Sequence, residues 1–196
     1  MKKSWIVIIV VALVIILFYG WMKNTYNSLV TKSEAVSAQW SQVENVYQRR
    51  ADLIPNLVST VKGYATHEKE TLEGVVQARA KATSVNIDAK NLTPAALQNF
   101  QQAQSGLSQA LSRLMVVVER YPDLKANQNF LELQAQLEGT ENRIAVERRR
   151  FNEVAQDYNT YLKMFPRNIL SNMFNFKEKA YFKAEAGAQK APVVKF

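Results

Sequence analysis

VSAQWSQVENVYQRRADLIPNLVSTVKGY, residues 36–64, is the stretch that decides the architecture. Its apolar side chains recur at alternating steps of four and three: Val36, Trp40, Val43, Tyr47, then Ile54, Leu57 and Val61. That spacing lines one stripe of an α-helix, with the near-heptad period of long packed helices. One place on the stripe is charged, because the step after Tyr47 falls on Arg50. Pro55 cannot donate to the carbonyl of Ala51, so a bend is expected there. Lys62 in the last turn, Gly63 as a left-handed cap and Tyr64 folding back on it mark the expected end.

Outward from this rod, the composition bounds what the rest can be. With 196 residues the chain holds one modest domain plus an anchor and a tail. It has no cysteine and one histidine, which excludes disulfides, thiolate chemistry and Cys-ligated metals. The formal charge of +8 would suit nucleic acid or an anionic membrane surface. Most of the basic residues alternate with acids at helical spacing, as on a solvated helix face, so nucleic acid is not expected as a partner.

Upstream, the basic start Met1 to Ser4 precedes WIVIIVVALVIILFYGWM, Trp5 to Met22, which carries no charge. A run of that length approaches the ~20 residues that cross a bilayer as a helix. Trp5 at one end, with Tyr19 and Trp21 at the other, sit where aromatic side chains anchor at the interfaces. Phe18-Tyr19-Gly20-Trp21 lacks the small-residue pair of a cleavage site, so the segment is read as an uncleaved anchor rather than a signal peptide. Lys2, Lys3 and the amino terminus, weighed against Lys23 and Lys32, lean towards an inside N-terminus and a body outside the cytoplasm. No proline separates the span from the first body helix. One helix is therefore expected from about Trp5 to Ala51, ~70 Å long at 1.5 Å per residue.

Downstream, Thr66 or His67 is expected to cap a second helix ending near Ala82. Residues 83–91, TSVNIDAKN, read as a loop. Thr93-Pro94 opens a third helix, with Leu107, Leu111, Leu114, Val118 and Tyr121 on its buried stripe and Pro122 as its stop. The fourth helix starts between Asp123 and Asn127. Phe130, Leu137, Ile144, Phe151, Tyr158 and Phe165 follow one another seven apart, and Pro166 closes the helix. The partner positions are mixed, with Leu133, Val154 and Tyr161 but also Thr140, Glu141, Glu147 and Arg148. Past Arg167 the chain is expected to be mostly irregular, with one helical turn at residues 168–174. The resulting fold class is all-α: a single N-terminal transmembrane helix continuing into an up-and-down antiparallel helical bundle, with an irregular C-terminal tail. The expected divisions are 1–4 (short tail), 5–22 (span), 23–165 (bundle) and 166–196 (tail).

Several stretches carry a family likeness: AQWSQVENVYQRRADLIPNLVSTVKGYATHEKETLE, then ARAKA, and LSRLMVVVERYPDLKANQNFLELQAQLEGTENRIAVERRRFNEVAQDYN. Phe165-Pro166, FNFKEKAYF and the closing VKF add to it. Together they resemble the LemA family of bacterial membrane proteins from Tyr26 onward, departing mainly in the 83–93 loop. The resemblance implies a single-pass protein with a helical-bundle body and supplies no catalytic residue. It also implies an outward N-terminus, opposite to the charge count, and a setting in envelope upkeep near membrane metallopeptidases.

Chemistry is sparse. His67 and Glu70 could share a helix face, but a di-iron bundle needs Glu-x-x-His on two helices, and this chain has no Glu-x-x-His. A capping or exposed His67 is the better reading. There is no Gly-rich phosphate loop, no G-x-S-x-G and no Cys/His pair, so no catalytic, metal or cofactor site is expected. Arg148, Arg149 and Arg150 point in different directions at helical spacing and are read as salt-bridged surface. Arg50, Glu141 and Arg148, with Glu119 or Glu147, are expected either to meet as a charged layer across the bundle or, where the helices rotate locally, to reach water. Gly74, Gly106 and Gly139 are read either as tolerated or as points of close helix approach. Phe174, Phe176, Tyr181, Phe182 and Phe196 are too apolar to stand unclaimed in water; docking onto the chain's own bundle is expected ahead of docking to a neighbour or to the membrane.

The function expected is non-catalytic: a self-assembling scaffold or adaptor at the bacterial inner membrane. Its partners would be membrane lipid, other copies of the chain and an envelope protein. The alternative is an accessory subunit of an envelope enzyme such as a membrane metallopeptidase.

Overall fold

A computed structural model describes residues 3–183. The expectation for Phe196 and the closing Val193-Val194-Lys195 lies outside them. Helix α1 (Lys3–Lys62) is a single helix of 60 residues that joins the apolar segment to the body without a break. Trp5 to Tyr19 are exposed throughout, as a lipid-facing surface would be. Within the body, Val36, Trp40, Val43, Tyr47, Ile54, Leu57 and Val61 are all buried, so the stripe read from the sequence is the face α1 presents to its partners.

Pro55 sits inside α1, and the helix runs through it for two more turns. The carbonyl that proline leaves unpaired, that of Ala51, accepts instead from Arg79 Nε at 2.7 Å. A side chain from the neighbouring helix thus stands in for the missing backbone donor.

Helix α2 (Lys69–Ser84) descends beside α1. It begins after Glu68, which makes no side-chain cap, so neither Thr66 nor His67 holds the expected cap. Gly63 stays out of the left-handed region as well. Ala65 closes the turn by donating to the Val61 carbonyl at 2.9 Å and is wholly buried. Tyr64 reaches across, its hydroxyl accepting from Asn127 Nδ2 at 2.9 Å.

The 83–91 connection contains a short 3-10 turn at Ala89–Asn91 and contributes Ile87 to the core. Helix α3 (Pro94–Val118) opens as expected, with the Thr93 hydroxyl accepting from Ala96 N. It ends three residues before Tyr121. Pro122 does not simply stop it but starts the one-turn helix α4 (Pro122–Lys125). Asn127 caps α5 (Gln128–Lys163), accepting from Phe130 N at 3.0 Å. The heptad series is buried from Phe130 to Tyr158, but Phe165 falls past the helix end and is 81% exposed. Helix α6 (Arg167–Met173) follows and ends on Asn175, whose φ of 57° lies in the left-handed region. Phe176 N donates back to Ser171 O at 2.9 Å, which closes the Schellman turn.

α1 is flanked by α5 and α2, and α3 packs on α2; the direction alternates along the chain. The core falls into two clusters. The one nearer the apolar span is built on Trp40, Phe100, Phe151 and Tyr158. The far one is built on Ile54, Leu57, Leu114 and Phe130. Gly74, Gly106 and Gly139 have open space where a Cβ would stand, so they are tolerated surface glycines and not close helix contacts.

Candidate functional site: a charged groove beside a C-terminal strap

Arg50 lies between the two apolar clusters and is 2% exposed. Its Nη1 donates to Glu141 Oε1 of α5 at 2.6 Å and to Ser108 Oγ of α3 at 3.1 Å. Nη2 donates to the side-chain oxygen of Gln104, and the guanidinium lies 5.1 Å from the centre of the Tyr47 ring. Gln104, also buried, passes the chain of bonds on by donating to the Ala82 carbonyl at 3.2 Å. A polar crossbar therefore ties α1, α2, α3 and α5 together at one level.

The expected charged layer is in part this crossbar. Arg50 and Glu141 meet, but the Glu141 side chain is 47% exposed, so the pair sits at the rim and not sealed inside. The other expected members go elsewhere. Arg148 lies over the Phe182 ring at 4.9 Å and donates to Lys183 O at 2.9 Å. Glu147 pairs with Arg150 at 3.0 Å and accepts from Gln39 at 2.7 Å. Glu119 pairs with Lys125 at 2.6 Å. Arg150 forms the expected surface salt bridge with Glu147, and Arg149 is exposed.

α3 and α5 do not close on each other. Between them runs a groove of about 1220 Å³ with Arg50 and Tyr47 on its floor and the Gln101, Ser105 and Ser108 face of α3 as one wall. Nearer the apolar span, the same seam is filled by residues 177–183, which lie extended as a strap. Asn159 of α5 grips the strap at both backbone groups of Lys179: its Nδ2 donates to the carbonyl at 2.8 Å and its Oδ1 accepts from the amide at 2.9 Å. Seven residues earlier, Asn152 holds both backbone groups of Phe182 in the same way, at 2.9 and 2.8 Å. On the opposite side Ala180 N donates to Leu92 O, and Gln101 donates to Lys183 O.

Held so, Phe182 is buried, stacked on Trp40 with ring centres 5.9 Å apart and edge-on to Phe151. Tyr158 donates its hydroxyl to Lys177 O at 3.0 Å, and burial pushes its pKa up to about 12. Lys179 is buried, and its ammonium donates to Ala89 O at 3.2 Å. Burial holds its pKa below the usual lysine range, with Asp88 and Glu34 opposing that shift. Docking of the aromatic tail on its own bundle is thus seen for Phe176 and Phe182, whereas Phe174 and Tyr181 remain partly exposed.

Sequence reasoning missed the asparagine clamps. The available signal was Asn152 and Asn159 recurring at heptad spacing inside a helix, where asparagine is an unfavourable choice without a partner. His67 is exposed, and no group of three or more His, Cys, Asp or Glu stands close enough to hold a metal among the described residues.

A family model described as LemA family matches residues 39–196. The chain belongs to the LemA family. Among the similar proteins of this LemA-family chain is Magnetosome protein MamQ 2 of Paramagnetospirillum magneticum. It is 28% identical, with 95% of this chain and 74% of the relative covered. Magnetosome protein MamQ of Magnetospirillum gryphiswaldense is also 28% identical, over 86% of this chain and 68% of the relative. Protein LemA of Metamycoplasma hominis is 25% identical, over 86% of this chain and 73% of the relative. The likeness to the two magnetosome proteins and to the mycoplasma LemA extends over most of each chain, so it takes in both the bundle and part of the α1 segment.

Proposed function

We propose that this LemA-family chain is a non-catalytic, membrane-anchored scaffold that assembles with copies of itself at the bacterial inner membrane, its body on the extracytoplasmic side. The observation that carries this reading is α1, one unbroken helix from the apolar segment to the far end of the bundle. A flexible linker would let the body swing, whereas a continuous helix fixes its orientation to the bilayer. Identically oriented bodies confined to two dimensions meet the same faces repeatedly, and tethering raises their effective concentration. The strap and the Arg50 crossbar support the reading by stiffening the body. Polar groups there are engaged in holding helices together.

The assembly is tested by cross-linking in native membranes and light scattering of the full chain in mild detergent. Oligomers in both are expected; monomer in both overturns the assembly. A turnover by the purified chain that a single polar substitution abolishes without unfolding it would overturn the non-catalytic reading. Sidedness is read from Asn86→Cys, an exposed loop position, in a chain that has no other cysteine. Labelling of intact cells by an impermeant thiol reagent is expected, and labelling only after lysis places the body in the cytoplasm.

A further inference from the structure

The end of the bundle nearest the apolar span exposes a second apolar surface, separate from the span. Phe165 is 81% exposed, Met173 60%, Ile169 59% and Met164 50%. All four lie on the α5–α6 turn or on α6. Their height along α1 is set by a direct contact: Tyr26 of α1 packs edge-on to the Phe174 ring at 4.9 Å and to the Phe176 ring at 5.8 Å. Tyr26 is four residues past Met22, about 6 Å further along the helix axis. The headgroup layer on each side of the hydrocarbon core is of that same thickness, roughly 5–8 Å. The first buried residue of α1 is Thr25, within one turn of Met22, so the body's packing starts beside the end of the apolar segment.

The charges around this surface fit the same place. Lys23 and Lys177 are exposed beside it, and Arg167 lies over the Tyr161 ring at 4.1 Å. The acid beside it on the strap, Glu178, is engaged with Lys163 at 2.7 Å. An apolar plate ringed by an excess of basic side chains is the composition of an interfacial membrane contact.

We propose that the α5–α6 corner is a lipid-contacting foot: Phe165, Ile169 and Met173 enter the interface of an anionic bilayer beside the α1 span. This rests on the reading of residues 5–22 as the membrane anchor. The foot makes two points of contact between the body and the bilayer, and the bundle then stands at one fixed tilt.

The absence of cysteine allows single-site reporters. The full chain is reconstituted into phosphatidylglycerol-containing vesicles with an environment-sensitive NBD probe on Ile169→Cys or Met173→Cys. Val14→Cys reports the span and Glu132→Cys the far end of the bundle. Headgroup- and acyl-labelled doxyl lipids serve as quenchers. Blue-shifted, doxyl-quenched emission is expected at 169, 173 and 14 but not at 132, and replacing the anionic lipid by phosphatidylcholine should weaken it at 169 and 173 and leave it unchanged at 14. Adding Phe165→Asp should abolish quenching at 173 and leave it intact at 14. Quenching at 14 without quenching at 169 and 173 overturns the foot and leaves the anchor standing. Quenching at 169 and 173 without quenching at 14 overturns the anchor and keeps the contact. A blue shift at 169 that resists doxyl lipid and grows with the protein-to-lipid ratio assigns the surface to a second copy and overturns the foot.

Discussion

Arg79 and Pro55 are far apart in sequence but meet at one carbonyl. Because Arg79 replaces the donor that Pro55 lacks, the two should be coupled. Arg79→Ala is expected to destabilise the body by about 2 kcal/mol, the cost of stranding a buried carbonyl. In a Pro55→Ala background, where the backbone restores the bond, the loss should shrink by about half; paired thermal melts give the cycle. Arg50 and Glu141 should be unequal despite forming one ion pair. Arg50→Ala removes a buried hub that serves three helices, leaves a cavity and strands the buried Gln104 oxygen, and should cost roughly 3–5 kcal/mol. Glu141→Ala leaves Arg50 with Gln104, Ser108 and an open groove, and should cost about 1 kcal/mol in the same melts.

Tyr158 and Lys179 give the strap a pH dependence whose sign follows from their shifts. The Tyr158 pKa is raised to about 12 from an ordinary 10, so its contribution is complete below pH 10 and is lost as pH rises through 12. The Lys179 pKa is lowered, so its contribution is present above its ordinary 10.5 and lost as pH falls through the folded value. Between pH 10 and 12 the tyrosine therefore destabilises while the lysine does not. Tyr158→Phe should remove an alkaline loss on the order of 2 kcal/mol, at a cost of about 1 kcal/mol at neutral pH. Denaturant midpoints of both chains across that range check it.

At the scale of elements, α5 holds two jobs on neighbouring heptad positions. Phe151 and Tyr158 face the core, while Asn152 and Asn159, one residue on, hold the strap. Residues 177–183 belong to no helix or strand, so these side-chain amides of α5 take the place of a backbone ladder. Phe182 supplies the apolar part of the docking. Phe182→Ala is expected to cost about 3 kcal/mol, and Asn159→Ala about 2 kcal/mol by leaving the buried Lys179 backbone unpaired. Trp40 reports both: with Trp5 and Trp21 replaced by Phe, its emission should move to the red in Phe182→Ala. Unchanged emission and an unchanged melt would mean that the strap adds nothing to the bundle.

For the whole molecule, what matters is how the body is mounted. Two glycines inserted between Lys23 and Asn24 should leave the body's melt unchanged, because burial in the bundle begins with Thr25. They should nevertheless uncouple the body's orientation from the span, since glycine breaks helix propagation and adds flexibility. Cross-linked oligomer from native membranes is expected to fall markedly. An undiminished yield would show that the rigid mount is not what drives assembly.

Local periodicity determined most of the fold. A stripe at steps of three and four must face a neighbour, so the buried residues of α1 and the heptads of α5 were legible from Val36 and Phe130 onward. The uncharged run at residues 5–22 was equally plain, and so was the Thr93-Pro94 start of α3, because length, charge and capping chemistry act within a few residues. Tertiary structure decided what depends on partners distant in the chain. Whether Pro55 would break α1 depended on Arg79, and whether Arg50 could be buried depended on Gln104 and Glu141 arriving at its level. Arg148 went to Phe182 rather than to the charged layer because the strap, whose sequence has no period, brought a ring to it. A polar side chain in a helix carries no mark of which distant atom will satisfy it, so those pairings existed only once the helices had packed.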